Sequence, residues 1–388
     1  MRVVGLISGT SYDAIDVAAA DLELRDGAVV LSPRGALAVP FDEALRTRIA
    51  AGLPPADTTY EQVCRLDTEL GQAFAGAAAR GLAELCGGDA DLVVSHGQTM
   101  YHWVDEQGRA RGTLQLGQPA WVAEQTGLPV VSDLRSRDIA RGGHGAPLVS
   151  IFDVLLLAER KGRQAALNLG GIANLTVLDT DGQALAFDAG PANALVDAAA
   201  QRFCGVPYDA GGEHAARGNV HEELLSALLD HPYYEQPAPK STGKELFHWE
   251  YLRERLPRGG LPADDVIATV TELTARVVAN ELARHRVDEV FVSGGGARNP
   301  WLMQRLAAAA PSGCRLAGVA ELGVGPDEKE AYAFTLLGFL TVNGLHATVP
   351  SCTGATAASQ LGTITPGASP LRLPEPAPHP PTRLVISS

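Results

Sequence analysis

Cysteine, lysine and long apolar runs are all scarce in this sequence, and each scarcity excludes a class of protein. The five cysteines (Cys64, Cys86, Cys204, Cys314, Cys352) are odd in number, widely spaced and without a C-x-x-C pair. That argues against a disulfide framework and a structural zinc site, and fits a reducing cytoplasm. The ten histidines show no H-E-x-x-H or other metal spacing, so a transition-metal enzyme is not expected. No stretch approaches the roughly 18–20 uninterrupted apolar residues that span a bilayer, and Met1 to Gly5 enters a core-like strand without a signal-peptide pattern. The expectation is a soluble, unexported protein. Only four residues are lysine, and 31 basic residues against 45 acidic ones leave a formal charge of −14. That argues against a surface that binds a nucleic-acid backbone, and any phosphate must be held locally.

What is present is an ordinary globular balance, 46% hydrophobic and 20% charged over 388 residues, enough for two or three lobes. The opening reads as a meander: a strand Val3 to Ser8, the small turn Gly9-Thr10-Ser11, a strand Ile15 to Leu24, and a third around Ala28 to Leu31. Val63, Leu66, Leu70, Phe74, Ala78, Leu82 and Leu85 recur every three or four residues and predict a helix over Glu61 to Cys86. Asp91 to Ser95 is then a buried-type strand ending in the polar cluster His96-Gly97-Gln98-Thr99, a place where α/β sheets put ligand groups. From Gln164 the opening pattern repeats as strand, Gly170-Gly171 turn, strand, Asp179-to-Gly182 turn and a strand ending at Phe187-Asp188. The repeat predicts two related lobes, residues 1–150 and 151–365, followed by an irregular tail, 366–388, that holds seven of the 25 prolines. Farther on, helical spacing over Ala263 to His285 precedes a strand Glu289 to Ser293, a triglycine and a helix capped by Asn299 with Pro300 at its first position.

Several of these segments can carry chemistry. The Gly9-Thr10-Ser11 turn, with Asp13 and Asp16 behind it, offers backbone N–H groups, hydroxyls and carboxylates that suit phosphate oxygens and water-bridged Mg²⁺; a plain hairpin turn is the other reading. It is not a Walker A loop, since G-x-x-x-x-G-K-[ST] occurs nowhere. Gly170-Gly171 repeats the device. Gly294-Gly295-Gly296 permits a close backbone approach to a nucleoside, or serves only as a strand-to-helix turn. Lys240-Ser241-Thr242-Gly243-Lys244 is either a solvated loop or a cap over a nucleotide that supplies hydroxyls and a cation. Asp188 is placed to act as a general base on a hydroxyl or a water, or to cap the following helix. Asp133 to Asp138 and Arg141 to Pro147 alternate charges that suit sugar hydroxyls and a carboxylate, or that pair with one another at a surface.

Taken in order, Gly5-Leu6-Ile7-Ser8-Gly9-Thr10-Ser11-Tyr12-Asp13, Ser95-His96-Gly97-Gln98-Thr99, Asp133-Leu134-Arg135, Gly143-His144-Gly145-Ala146-Pro147, Leu167-Asn168-Leu169-Gly170-Gly171-Ile172-Ala173-Asn174, Phe187-Asp188-Ala189-Gly190-Pro191, Pro239-Lys240-Ser241-Thr242-Gly243 and Gly294-Gly295-Gly296 resemble the anhydro-N-acetylmuramic acid kinases. The resemblance runs from residue 3 to about 365. It implies an α/β fold of the actin, sugar kinase and Hsp70-like class, with duplicated ribonuclease H-like domains closing over ATP. It also implies Mg²⁺, a cytoplasmic homodimer, and neither nucleic acid nor membrane as partner. The implied reaction hydrolyses the 1,6-anhydro bond of 1,6-anhydro-N-acetylmuramic acid and phosphorylates O6. By motif position Asp188 is the base that activates water and Glu330 helps to orient that water. Gly9, Thr10, Ser11, Asp13, Asp16, Gly170, Gly171, Lys240 to Gly243 and Gly294 to Gly296 serve the nucleotide and its metal. His96, Gln98, Thr99, Asp133, Arg135, Gly145, Ala146 and Pro147 serve the sugar. Ala14 and Ala192 replace family glycines, and both are expected at negative φ, because alanine in the left-handed region costs on the order of 1 kcal/mol. An ordinary sugar kinase that breaks no glycosidic bond and an actin- or Hsp70-like ATP-driven conformational protein are the competing readings.

Overall fold

The computed structural model describes residues 1–9, 11–243 and 246–387. Thr10 and Lys244, both singled out above, lie outside the described residues. Two compact units make up the chain: Met1–Ala158 with Glu328–Ser388, and Glu159–Asp327.

In the first unit β1 (Arg2–Ser8), β2 (Ala14–Arg25) and β3 (Ala28–Pro40) form an antiparallel meander. β4 (Leu92–Val104) joins the other side of β1 in parallel, β5 (Ala110–Leu116) folds back on β4, and β6 (Val130–Ser132) runs parallel to β4. The second unit repeats the plan. β7 (Gln164–Leu169), β8 (Ile172–Leu178) and β9 (Ala184–Pro191) are the meander, β10 (Glu289–Ser293) lies parallel to β7, and β11 (Arg315–Gly318) lies parallel to β10. The orders β3-β2-β1-β4-β6 and β9-β8-β7-β10-β11 are the same arrangement twice. This is the duplicated ribonuclease H-like sheet, and it confirms the internal repeat read from the glycine turns. β3 runs well past the expected end at Leu31, because Arg34 is taken up as a bulge between the pairs Ala20–Pro33 and Ala19–Gly35.

The predicted long helix spans Tyr60–Cys86. Thr59 and Gln62 form a capping box at its start, Gly87 ends it in the left-handed region, and Leu66, Leu70, Phe74 and Ala78 are buried on its inner face. Asn299 accepts the Leu302 N–H at 3.0 Å, so the helix Pro300–Ala309 begins as its cap predicts.

The expected domain division is corrected by the last sixty residues. From Glu328 the chain returns to the first unit, because the helix Lys329–Val342 is apolar almost all round and buries that surface on β1, β2 and β4. Two glycines permit the fit. A Cβ on Gly5 would come within 2.6 Å of the Ala331 carbonyl, and one on Gly338 would strike Val94. The proline-rich tail is irregular but anchored at both ends: β12 (Thr363–Thr365), just before it, pairs with β6, and β13 (Arg383–Ile386), within it, adds a parallel edge strand to β3. Ala192 has φ −110°, and neither it nor Ala14 has positive φ, as expected.

Candidate functional site

In the first unit the end of β1 is braced by the middle of β4, which does not end at Ser95 as expected but runs on through the polar cluster His96 to Thr99. Ser8 donates to the Gln98 carboxamide oxygen at 2.6 Å, and the Gln98 amide donates to the carbonyls of Gly9 and Thr99, each at 3.3 Å. After Gly9, Tyr12 takes positive φ (42°), and Ser11 donates to the Asp13 carboxylate at 2.6 Å. The Arg135 side chain donates through Nε to His96 Nε2 at 2.9 Å and through Nη1 to the Gly145 carbonyl at 2.6 Å. His96 Nδ1 lies 2.9 Å from the Gly97 carbonyl, so His96 is neutral with its proton on Nδ1. Burial, then the Arg135 charge, push its pKa down to about 3, in keeping with that tautomer. Burial likewise brings Arg135 down to about 10, against the pull of Glu330.

Four carboxylates, Asp13, Asp16, Asp153 and Glu330, share this unit's electrostatics. Enclosure by protein, then Asp13 and Glu330, push the Asp16 carboxyl up to about 6. Burial raises Glu330, opposed by Lys329 and Arg135 and assisted by Asp153. Lys329 itself is buried and paired with Asp153 at 2.9 Å.

In the second unit the carbonyls of Gly170 and Gly171 accept the N–H groups of Asn193 (3.0 Å), Ala192 (2.9 Å) and Ala194 (3.0 Å). The second glycine turn is therefore locked to the start of the helix Asn193–Ala199. Asp188, on β9, is held from several directions. Asn174 on β8 donates to Oδ1, while the Ser241 hydroxyl and the Thr242 N–H donate to Oδ2 at 2.9 and 2.8 Å. Its own N–H donates to the Lys240 carbonyl at 2.9 Å, and the Tyr233 hydroxyl donates to its carbonyl at 2.6 Å. A carboxylate constrained this way presents a fixed acceptor, which proton abstraction requires.

Residues 1–367 match the family model described as anhydro-N-acetylmuramic acid kinase. Proteins of that name from Streptomyces coelicolor and Streptomyces avermitilis are 59% and 58% identical to this chain; both alignments span 100% of it, with 99% and 100% of the relatives covered. The chain belongs to the anhydro-N-acetylmuramic acid kinase family. Another relative of the same name, from Rhodococcus erythropolis, is 56% identical, with 95% of this chain and 94% of the relative covered. Among solved structures, a ROK family glucokinase from Streptomyces griseus aligns over 87% of this chain and 99% of its own, at 14% identity and a TM-score of 0.39.

Several of the residues singled out from sequence have protein partners in this structure. Gln98 is buried and its carboxamide bonds Ser8, Gly9 and Thr99, which braces the turn. His96 has both ring nitrogens engaged and serves Arg135. The Lys240 side chain is 2% exposed and its ammonium pairs with Glu281 at 2.9 Å. The Ser241 hydroxyl and the Thr242 N–H both turn to Asp188. Gly294 (φ 83°) is required by its turn, since a Cβ there would strike the Asn168 side chain and come within 2.9 Å of the Leu169 backbone. Thr99 accepts from Gln115 at 3.2 Å, Asp133 accepts from Ser136 at 2.5 Å, and Pro147 accepts from Ser150 at 2.8 Å, beside the Arg135–Gly145 link.

Sequence reading missed Asn174 as a partner of Asp188, although a signal existed. The hairpin turn Asp179 to Gly182 sets a register that puts Asn174 opposite Asp188 on adjacent strands. Asp138, the last residue of the Asp133 to Asp138 cluster, is a buried carboxylate rather than a surface charge, and it accepts from the Gly145 N–H (2.7 Å) and the Thr353 hydroxyl (2.8 Å), which shapes the Arg141 to Pro147 loop. Cys204, His214 and Asp264 also meet, at no recognisable spacing. Arg217 bonds both Asp264 oxygens (3.0 and 3.4 Å) and lies 2.8 Å from His214 Nδ1, supplying the positive charge that a metal would bring.

Proposed function

We propose that this chain is an ATP-dependent kinase that hydrolyses the 1,6-anhydro bond of 1,6-anhydro-N-acetylmuramic acid and phosphorylates O6. The products are N-acetylmuramic acid 6-phosphate and ADP, in the recycling of cell-wall peptidoglycan. Family membership supports the substrate and cofactor, and the observation that carries the chemistry is the orientation of Asp188 by Asn174, Ser241 and Thr242. In this reading the second unit supplies water activation. Asp188 takes a proton from water, the water oxygen bonds to the anomeric carbon, and the C1–O6 bond breaks. O6 accepts the γ-phosphoryl group and ADP leaves, so one water is consumed per turnover. The work is positioning and electrostatics, without a covalent intermediate on the protein. The first unit supplies sugar recognition through Arg135, Asp133, Thr99 and the Gly145 to Pro147 loop, with Glu330 orienting the water. A carboxylate such as Asp16, pushed up by enclosure and then by the nearby acids Asp13 and Glu330, suits a divalent cation. Asp13, with Asp16 beside it, would hold Mg²⁺ through water, where the ion neutralises charge on the triphosphate. The family resemblance also supports a cytoplasmic homodimer.

Turnover in H₂¹⁸O tests the reaction. One ¹⁸O is expected at the anomeric oxygen of the product and none in the phosphate; an unlabelled product would make this an ordinary sugar kinase. Asp188→Asn is expected to lower kcat by about 10³-fold or more while ATP binding stays within about twofold.

A further inference from the structure

The segment that carries Ser241 and Thr242 to Asp188 is itself tied down by a buried ion pair outside the proposed chemistry. Lys240 Nζ donates to Glu281 Oε1 at 2.9 Å and to the Tyr234 carbonyl at 3.2 Å, and lies 5.0 Å from the centre of the Tyr233 ring. The Lys240 and Glu281 side chains are only 2% and 5% exposed. Glu281 belongs to the helix Ala263–Arg284, and Arg284, at 3.2 Å, also neutralises it. The two residues after Lys240 deliver donors to Asp188 Oδ2, while the Lys240 carbonyl receives the Asp188 N–H. Tyr233, beneath the ammonium, donates its hydroxyl to the Asp188 carbonyl. One lysine therefore connects a rigid helix to both the carboxylate and the backbone of Asp188.

We propose that Lys240 and Glu281 are positioning residues: their ion pair anchors the 240–242 segment to the helix, so that Ser241 and Thr242 hold Asp188 in its productive orientation. Desolvating two charges is expensive, and a buried pair is weak evidence for stability alone. A pair placed where it orders the donors of one carboxylate gains its use from geometry, since misplacement by about 1 Å can cost on the order of 10²-fold in rate. This inference rests on the reading of Asp188 as the base.

The test is a kinetic double-mutant cycle on the full chain, using Lys240→Met, Ser241→Ala, the double variant and Asp188→Asn as reference. Lys240→Met is expected to lower kcat about 10- to 100-fold, with KM for ATP and for the anhydro sugar within about twofold. In the double variant Ser241→Ala should add less than about twofold to the loss, because the hydroxyl is no longer delivered once its anchor is gone. A multiplicative loss, or a rise confined to the KM for ATP, overturns the proposal, the latter by making Lys240 a nucleotide ligand. If Lys240→Met does not fold, Glu281→Gln replaces it and should show the same kcat loss and the same non-additivity; full activity in that variant overturns the anchor. A fully active Asp188→Asn would sink the base reading itself, whereas an inactive Asp188→Asn beside a fully active Lys240→Met would sink only the anchor.

Discussion

Asp16 illustrates how a residue can be set by neighbours that are remote in sequence. Enclosure, then Asp13 three residues before it and Glu330 far along the chain, raise its carboxyl from an ordinary value near 3.8 to about 6. The sign follows from linkage: an acid whose folded pKa is raised binds more protons folded than unfolded, so it costs stability as pH rises from near 4 to near 6. The penalty is absent below that window and complete above it. Asp16 is nonetheless exposed to solvent at the surface of β2, which reduces the effect. Asp16→Asn should therefore melt about 2–4 °C above the parent at pH 7.5 and together with it at pH 4, by thermal denaturation. No gain at pH 7.5 would mean that Asp16 ionises without penalty. At this scale the sequence named Asp188, Arg135 and the glycine turns as candidates, because their types and order are distinctive. It could not assign partners to Lys240 or Gln98, since a polar residue in a loop reads the same whether its side chain faces solvent or a buried acid.

Elements were legible where periodicity is strong. The helix Tyr60–Cys86 starts one residue before its predicted position, and both meanders appear in the expected order. The helix Lys329–Val342 was noticed only for Glu330, because its apolar residues surround it and provide no face to read. Its seat depends on Gly5. Gly5→Ala would push a methyl to within 2.6 Å of the Ala331 carbonyl and 2.9 Å of Thr335. Overpacking of this kind should destabilise the first unit by about 1–3 kcal/mol in urea unfolding. It should also lower kcat, since Glu330 precedes the displaced carbonyl. An unchanged unfolding midpoint would show that the helix yields freely.

For the whole molecule, the tail carries a test of the chain's return. β13 covers an edge that β3 would otherwise expose, with the Thr382 N–H donating to the Gly27 carbonyl (2.8 Å) and the Ser387 N–H to the Leu31 carbonyl (2.9 Å). Truncation after Pro381 should lower the melting temperature by about 2–4 °C and promote self-association, leaving kcat unchanged; an unaltered melting curve would mean that the strand contributes nothing. The sequence by itself determined a duplicated α/β chain whose motifs belong to one kinase family, because local pattern and motif order are written in consecutive residues. A charge of −14 with four lysines already required phosphate to be handled by local groups. Only the tertiary structure decided that residues 328–388 rejoin the first unit and that Lys240 is buried against Glu281. Those outcomes depend on which distant surfaces exclude water together, and no stretch of consecutive residues records that.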